Sequence, residues 1–207
     1  MVLADWLKTR GYYGGSYSLY SDSYISPPYS LQIIGNNGYG FLCNRPETKY
    51  ILNGIIELWI KCGRNWGFLG LFPTIVFRVY PPQWAIGNLR DGVGDAGCTI
   101  TINLSSKVIY YGRTSAEYWN HGVYSNILNS VNLTSWHKWR VIFYTDEQER
   151  LVIKVQVMVG GEWQNVCDPF IDDTNPHTNG VYCGFGAETG TYGVLFDDIK
   201  IYKLTPL

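Results

Sequence analysis

YCGFGAETGTYGVLFDDIKIYK, Tyr182 to Lys203, reads as two strands separated by a glycine-bearing turn. From Leu195 to Tyr202, the residues Leu195, Ile199 and Ile201 share one face with Asp197, and Phe196, Asp198, Lys200 and Tyr202 share the other. This is the period of a half-buried strand. The stretch is predicted to form a closing hairpin. A strand so late in the chain must find partners far back in the sequence, so the fold is expected to rest on non-local pairing.

The same alternation recurs upstream. Leu151 to Val159 gives the cleanest case, with Leu151, Ile153, Val155, Val157 and Val159 on one side. Gly54 to Cys62 alternates Ile56, Leu58 and Ile60 against Glu57, Trp59 and Lys61, and Thr74 to Tyr80 alternates Ile75, Phe77 and Val79 against Arg78 and Tyr80. Trp136 to Thr145 sets Trp139, Val141 and Phe143 against Arg140, Ile142 and Tyr144. Shorter strands are expected at Tyr29 to Ile34, Cys98 to Leu104, Lys107 to Tyr111 and Glu162 to Val166, with one or two helical turns near Ser125 to Asn129. Pro81 to Gly97, the segment around Tyr118, Trp119 and His121, and Asp168 to Gly180 read as loops, and Asn36 to Gly38 as a turn. About ten strands at short spacing, with no sustained helical period, predict an all-β antiparallel two-sheet sandwich. No linker divides the chain, so residues 1–207 are expected to form a single domain, with 1–15 as an N-terminal arm or edge strand.

Composition narrows the function classes. Charged residues and aromatic residues each make up 16% of the chain, so Ser, Thr, Asn, Gly and tyrosine hydroxyls must supply much of the polar surface. The formal net charge is -1 with no Lys/Arg run, which gives no footprint for nucleic acid or anionic lipid. Neither a signal-peptide pattern nor a run of membrane-spanning length is present, so a soluble protein without membrane insertion is expected. Cys43, Cys62, Cys98, Cys167 and Cys183 contain no CxxC and fit no zinc spacing; buried thiols or one or two disulfides remain the alternatives.

Three passages resemble the concanavalin A-like lectin/glucanase jelly roll, in the broad form shared by laminin G-like modules, pentraxins and carbohydrate-binding modules. They are YISPPYSLQI (Tyr24 to Ile33), SWHKWRVIF (Ser135 to Phe143) and GVYCGFGAETGTYGVLFDDIKIYKL (Gly180 to Leu204). The resemblance implies a jelly roll of concanavalin A-like type from about Tyr12 onward; it says little about function, because the architecture hosts lectins, hydrolases, lyases and structural domains alike.

The chemistry such relatives carry can be tested on the residues. Glucanases of this fold resemble one another in a Glu-x-Asp-x-x-Glu strand, and retaining hydrolysis needs carboxyl groups about 5 to 5.5 Å apart. No such run occurs. Asp146, Glu147 and Glu149 are the densest acids, but they read as a turn beside Arg150. The lyases use a His/Tyr/Arg cluster, and neither His121, His137 nor His177 lies in a lyase-like strand motif. Legume-type metal strands are missing too. A calcium site of another kind recurs in β-sandwich modules, where a closing-strand carboxylate meets the N-terminal segment; here Asp22, Asp197 and Asp198 would supply the acids of a structural calcium site needing about 6 to 8 oxygens. The competing reading has Asp197 binding backbone N–H groups. For a sugar, the candidate groups are Trp66, Trp84 and Trp119 in loops, with Arg78, Tyr80, Tyr111 and Arg113 on strand faces or ends. Asn103-Leu-Ser and Asn132-Leu-Thr fit the glycosylation sequon.

The sequence thus points first to a non-catalytic carbohydrate-binding or adhesion domain at a cell or virion surface or outside the cell. Its partner would be a glycan or a surface protein. The alternative is a structural, self-assembling homo-oligomer of a virion, pilus or surface layer, and third comes a glycoside hydrolase or polysaccharide lyase.

Overall fold

The computed structural model describes residues 6–9, 16–34, 39–43, 45, 50–62, 72–79, 97–103, 105–113, 117–132, 134–176, 178, 180, 182–188 and 193–205, with backbone alone at 6–9, 39–42, 72, 117–121 and 188. Its strands are β1 (Trp6–Thr9), β2 (Ser16–Tyr20), β3 (Ser30–Ile34), β4 (Tyr39–Cys43), β5 (Gly54–Cys62), β6 (Phe72–Val79), β7 (Cys98–Asn103) and β8 (Val108–Arg113). They continue with β9 (Glu117–Tyr124), β10 (His137–Thr145), β11 (Leu151–Val159), β12 (Glu162–Asn165), β13 (Phe170–Asp172), β14 (Tyr182–Glu188) and β15 (Val194–Lys203). A 3-10 helix, Asn126–Ser130, stands close to the predicted helical turns.

The strands form two antiparallel sheets. One has seven strands in the order β1-β4-β14-β6-β7-β8-β9. The other has eight, in the order β12-β11-β10-β5-β15-β3-β2, with β13 also paired to β11. Their inner faces meet in one core containing Ile56, Leu58, Ile75, Ile100, Val141 and Ile153, all fully buried. Aromatic pairs bridge the sheets: Phe77 stacks on Phe143 with ring centroids 4.5 Å apart, and Phe185 meets Phe196 at 4.8 Å. Such pairs contribute roughly 0.5–1.5 kcal/mol beyond the area they bury. The antiparallel β-sandwich read from the sequence is the observed fold, and β5 and β11 begin and end where their alternation predicts.

The closing hairpin does not form. β14 pairs with β4 and β6 in one sheet, whereas β15 pairs with β5 and β3 in the other. The two strands face each other across the core through Phe185 and Phe196. Alternation reports that a segment has two unlike faces and is blind to which strand lies beside it. The segment with Tyr118, Trp119 and His121 is a strand, β9, pairing with β8 along its length. The loop from Asp168 contains β13. The turn at Asn36 to Gly38 and most of the loop from Pro81 lie outside the described residues.

Strict alternation also fails inside β15. Asp197 stands opposite Trp59 and Lys200 opposite Glu57, so Asp198 and Ile199 together face the single residue Leu58. This β-bulge, with Asp198 in the left-handed region at φ 43°, reverses the phase of the strand. Val194 and Phe196 point inward before it, and Ile199 and Ile201 pack against the core after it. None of the five cysteines is bridged. Burial pushes the Cys62, Cys98 and Cys183 thiols up to about 12 and Cys167 to about 11, so they are held as neutral thiols with little nucleophilic character at neutral pH.

Candidate functional site

Three of the residues expected to meet a sugar converge instead on the end of β13 and the loop after it. Arg78 also has a left-handed backbone, φ 51°, beside a register shift between β14 and β6. Its side chain therefore departs from the outward phase set by Ile75, Phe77 and Val79. It is fully buried, and its Nε donates to the Leu52 carbonyl at 3.0 Å. Nη1 donates to Asn175 Oδ1 at 2.7 Å and to the Pro176 carbonyl at 3.2 Å, and Nη2 donates to Thr145 Oγ1 at 2.8 Å. A strand of one sheet is thus clamped to the end of β10 in the other. Tyr111, 2% exposed, donates its hydroxyl to Asp172 Oδ2 at 2.8 Å, and half-buried Arg113 reaches the same carboxylate at 3.3 and 3.4 Å. Burial tends to raise the Asp172 pKa, but bonds from Thr174 and Tyr111, with the Arg113 charge, hold it below its ordinary value. Burial first, then Asp172 and Cys98, keep Tyr111 protonated far above the usual phenol range. Arg78 and Tyr111 are accordingly interior braces and present nothing to a ligand. Trp66, Tyr80 and Trp84 lie outside the described residues. Trp119 sits on β9, at the edge of its sheet, with its side chain also outside them.

The three acids assigned to calcium are not assembled for it. Asp197 is 1% exposed, and its Oδ2 accepts the backbone N–H of Ile25 at 2.7 Å and of Ser26 at 2.9 Å while Oδ1 accepts that of Asp198 at 2.7 Å. A cation there would have to displace three donors. Asp198 pairs with Lys200 at 3.0 Å, and exposed Asp22 takes the Ser21 hydroxyl at 3.1 Å. Among the described residues no group of three or more His, Cys, Asp or Glu side chains is placed to hold a metal. These residues do not fit a calcium ion; Asp197 fastens the segment before Pro27 to the centre of the eight-stranded sheet. Asp146 likewise closes a turn, accepting the Gln148 and Arg150 amides and the Arg150 guanidinium.

The two outer faces differ. On the seven-stranded sheet, Thr74, Val76 and Thr101 are in outward phase yet buried, with the two threonine hydroxyls 3.2 Å apart. The outer face of the eight-stranded sheet carries half-buried Trp59, Lys138, Arg140, Lys154, Gln156, Met158 and Trp163. Pairing puts Trp59 opposite Lys138 and Trp163 opposite Met158, so the two indoles lie on one row across β5, β10, β11 and β12. Three strand spacings separate them by about 14 Å. Beneath this row, Glu57 accepts Arg140 Nε at 2.7 Å and pairs with Lys138 at 2.9 Å. Burial would raise the Glu57 pKa, but the bonds and charges of Lys138 and Arg140 outweigh it and leave the carboxyl below its ordinary value. The Arg140 guanidinium in turn lies 4.0 Å from the centroid of the Trp163 ring. One indole face is thereby covered by a cation, and the ring is locked in position by an ion pair rather than left to rotate.

The row runs on toward the segment that Asp197 fastens. There Ser23 Oγ accepts both Lys61 Nζ at 2.8 Å and Trp136 Nε1 at 3.0 Å, beside exposed Tyr24 and Tyr29. None of Trp59, Trp136 or Trp163 was singled out from the sequence as a binding residue. The available signal was a tryptophan in the polar phase of an alternating strand, which is plain at Trp59 between Leu58 and Ile60.

Two antiparallel sheets packed in this order form a β-sandwich of the concanavalin A-like jelly-roll type, a fold also found in lectin and carbohydrate-binding-module structures. Similar solved structures include the VIP36 exoplasmic/lumenal domain in its Ca2+/Man3GlcNAc-bound form, at 11% identity and TM-score 0.61, covering 100% of this chain and 86% of that one. The metal-free carbohydrate recognition domain of Emp46p matches at 10% identity and TM-score 0.62 over 98% of this chain and 90% of that one. Carbohydrate-binding module CBM66 from Bacillus subtilis matches at 8% identity and TM-score 0.55 over 96% of each. At these identities the likeness is one of fold. No family model matches the sequence, and no curated protein does.

Proposed function

We propose that this chain is a non-catalytic carbohydrate-recognition or adhesion domain, working outside the cell, in a lumen, or on the surface of a larger particle. The observation that carries the proposal is the row of half-buried Trp59, Lys138, Met158 and Trp163 on the outer face of the eight-stranded sheet, in a fold shared with structures named as carbohydrate recognition and carbohydrate-binding domains. Indoles offer flat apolar faces to pyranose rings, while lysine and amide groups between them bond hydroxyls. The exoplasmic/lumenal name of the VIP36 domain supports the location. Among the described residues no helix is long and apolar enough to cross a membrane. A calcium requirement would have to come from residues other than Asp22, Asp197 and Asp198.

The test is a screen of immobilised glycans with the intact protein and with Trp59→Ala and Trp163→Ala. Each substitution is expected to weaken binding about tenfold, as loss of one ring stack implies, with circular dichroism showing the sheets intact. Folded protein that binds no glycan would refute the proposal.

The self-assembly reading also has an observation of its own. β2, SYSLY, lies at the edge of the eight-stranded sheet with no charge or proline, and Leu19 is 47% exposed. Such an edge invites a strand from another copy. Concentration-dependent oligomers abolished by Leu19→Lys, in protein that binds no glycan, would favour it.

A further inference from the structure

We infer that the strip of β10, β11 and β12 bearing Trp163, Gln156, Asn165, Arg140 and Lys154 is a subsite for an acidic saccharide, one carrying a carboxylate or a sulfate. The inference rests on the carbohydrate reading above and names the ligand class for the same face.

Along β11, Met158, Gln156 and Lys154 point outward in steps of two residues, about 6.7 Å each. Pairing sets Trp163 beside Met158, Asn165 and Arg140 on either side of Gln156, and Ile142 beside Lys154. An aromatic plate, an amide pair and a cation therefore follow one another over about 13 Å. A ring stacked on Trp163 would place its substituents over the amides and its acidic group toward Lys154.

The charges on this face are unequal. Its carboxylates are Glu57, Asp197 and Asp198, and all are engaged: Glu57 by Lys138 and Arg140, Asp197 by backbone N–H groups, Asp198 by Lys200. Against these three stand five cations, Lys61, Lys138, Arg140, Lys154 and Lys200, on a chain of formal net charge -1. Lys61 binds the Ser23 hydroxyl, and Lys154 lies 5.6 Å from the Tyr144 ring centroid with no carboxylate among the described residues. A cation over an aromatic ring can still receive an anion on its open side. Arg140 donates to Glu57 through Nε and Nη2, so Nη1 makes no hydrogen bond among the described residues.

Gln156 supplies an independent pointer. Its Nε2 donates to Asn165 Oδ1 at 2.9 Å, but its Oε1 is buried without a hydrogen-bond partner among the described residues. Native proteins seldom leave a buried acceptor unmet without a use for it. The terminal torsion of a glutamine is soft, so a modest rotation turns this oxygen toward a ligand hydroxyl. That acceptor lies between the Trp163 ring and Lys154 along β11, where a saccharide would present its hydroxyls.

The experiment compares a sialylated oligosaccharide, a sulfated oligosaccharide and the neutral form of each by calorimetry at low and high salt. The expected result is a preference of about tenfold for an acidic form at low salt that shrinks as salt rises; the better-bound acid tells carboxylate from sulfate. Lys154→Gln is expected to bring the acidic-to-neutral ratio close to one, whereas Lys203→Gln, a surface cation off the strip, keeps it. Equal affinity for acidic and neutral forms overturns the inference and leaves the carbohydrate reading standing. An equal loss of preference in Lys203→Gln also overturns it, because the effect would then be diffuse charge. Binding of no saccharide at all overturns the carbohydrate reading itself.

Discussion

Replacing Asp197 by alanine separates a structural fastener from a metal ligand. The carboxylate accepts three backbone N–H groups, at 2.7, 2.9 and 2.7 Å, from a site 1% exposed. A hydrogen bond to a charged group contributes about 1.5–3 kcal/mol, and an amide left unmet in the interior loses a comparable amount. Ile25 is 38% exposed, so water replaces part of what its amide and its neighbour's lose. Taking the low end for that pair and little for the adjacent Asp198 amide gives a loss of about 3 kcal/mol. For a chain of this size that corresponds to a fall in Tm of about 6–12 °C. Urea unfolding followed by tryptophan fluorescence, run once with calcium and once with chelator, reads the loss directly. The same loss in both is expected. A change below about 1 kcal/mol, or one seen only with calcium, would refute the fastener and restore the metal site.

Two further substitutions probe the fold and its ion pairs. Glu57 has its carboxyl held below the ordinary 4.5 by Lys138 and Arg140 against the opposing effect of burial. Its stabilising contribution is therefore complete above that value and disappears as pH falls through the lowered one. Glu57→Gln should lower the urea midpoint near neutral pH and flatten its decline below pH of about 4.5; a decline as steep as the parent's would contradict this. At Gly180 a Cβ would collide with the Arg78 carbonyl oxygen, which the Arg78 clamp prevents from yielding. Gly180→Ala is expected to cost about 3 kcal/mol, and a Tm within a degree or two of the parent would show that this backbone contact can relax.

Much of the architecture was legible because a half-buried strand writes its two faces into the sequence. That is why β5 and β11 were located to the residue, and why the sandwich class followed. Two kinds of information were not written there. Partner choice was one: nothing in Tyr182 to Lys203 distinguishes two strands side by side from two strands face to face. Phase reversal was the other. Arg78 and Asp198 both adopt left-handed backbone beside irregular pairing, and a side chain expected on one face appears on the other. These are the places where the fold ties itself together, through Arg78 to Thr145 and Asn175 and through Asp197 to the segment at Ile25. The sugar-binding candidates legible in the sequence, Trp66, Trp84 and Trp119 in loops and Arg78, Tyr80, Tyr111 and Arg113 on strand faces or ends, do not include Trp59 or Trp163. The outward phase of these last two was readable, but the support under Trp163 joins Glu57 to Arg140, 83 positions apart, and exists only once β5, β10 and β12 are aligned.

The division of β14 and β15 between the two sheets also sets a timetable for synthesis. β14 fills the place between β4 and β6, and β15 the place between β5 and β3. Until these late strands leave the ribosome each sheet consists of two fragments with an unfilled slot between them. At about 5–20 residues per second the preceding stretch takes roughly 10–35 s to make. Throughout that interval the rims of both slots are open to pairing with the wrong strand.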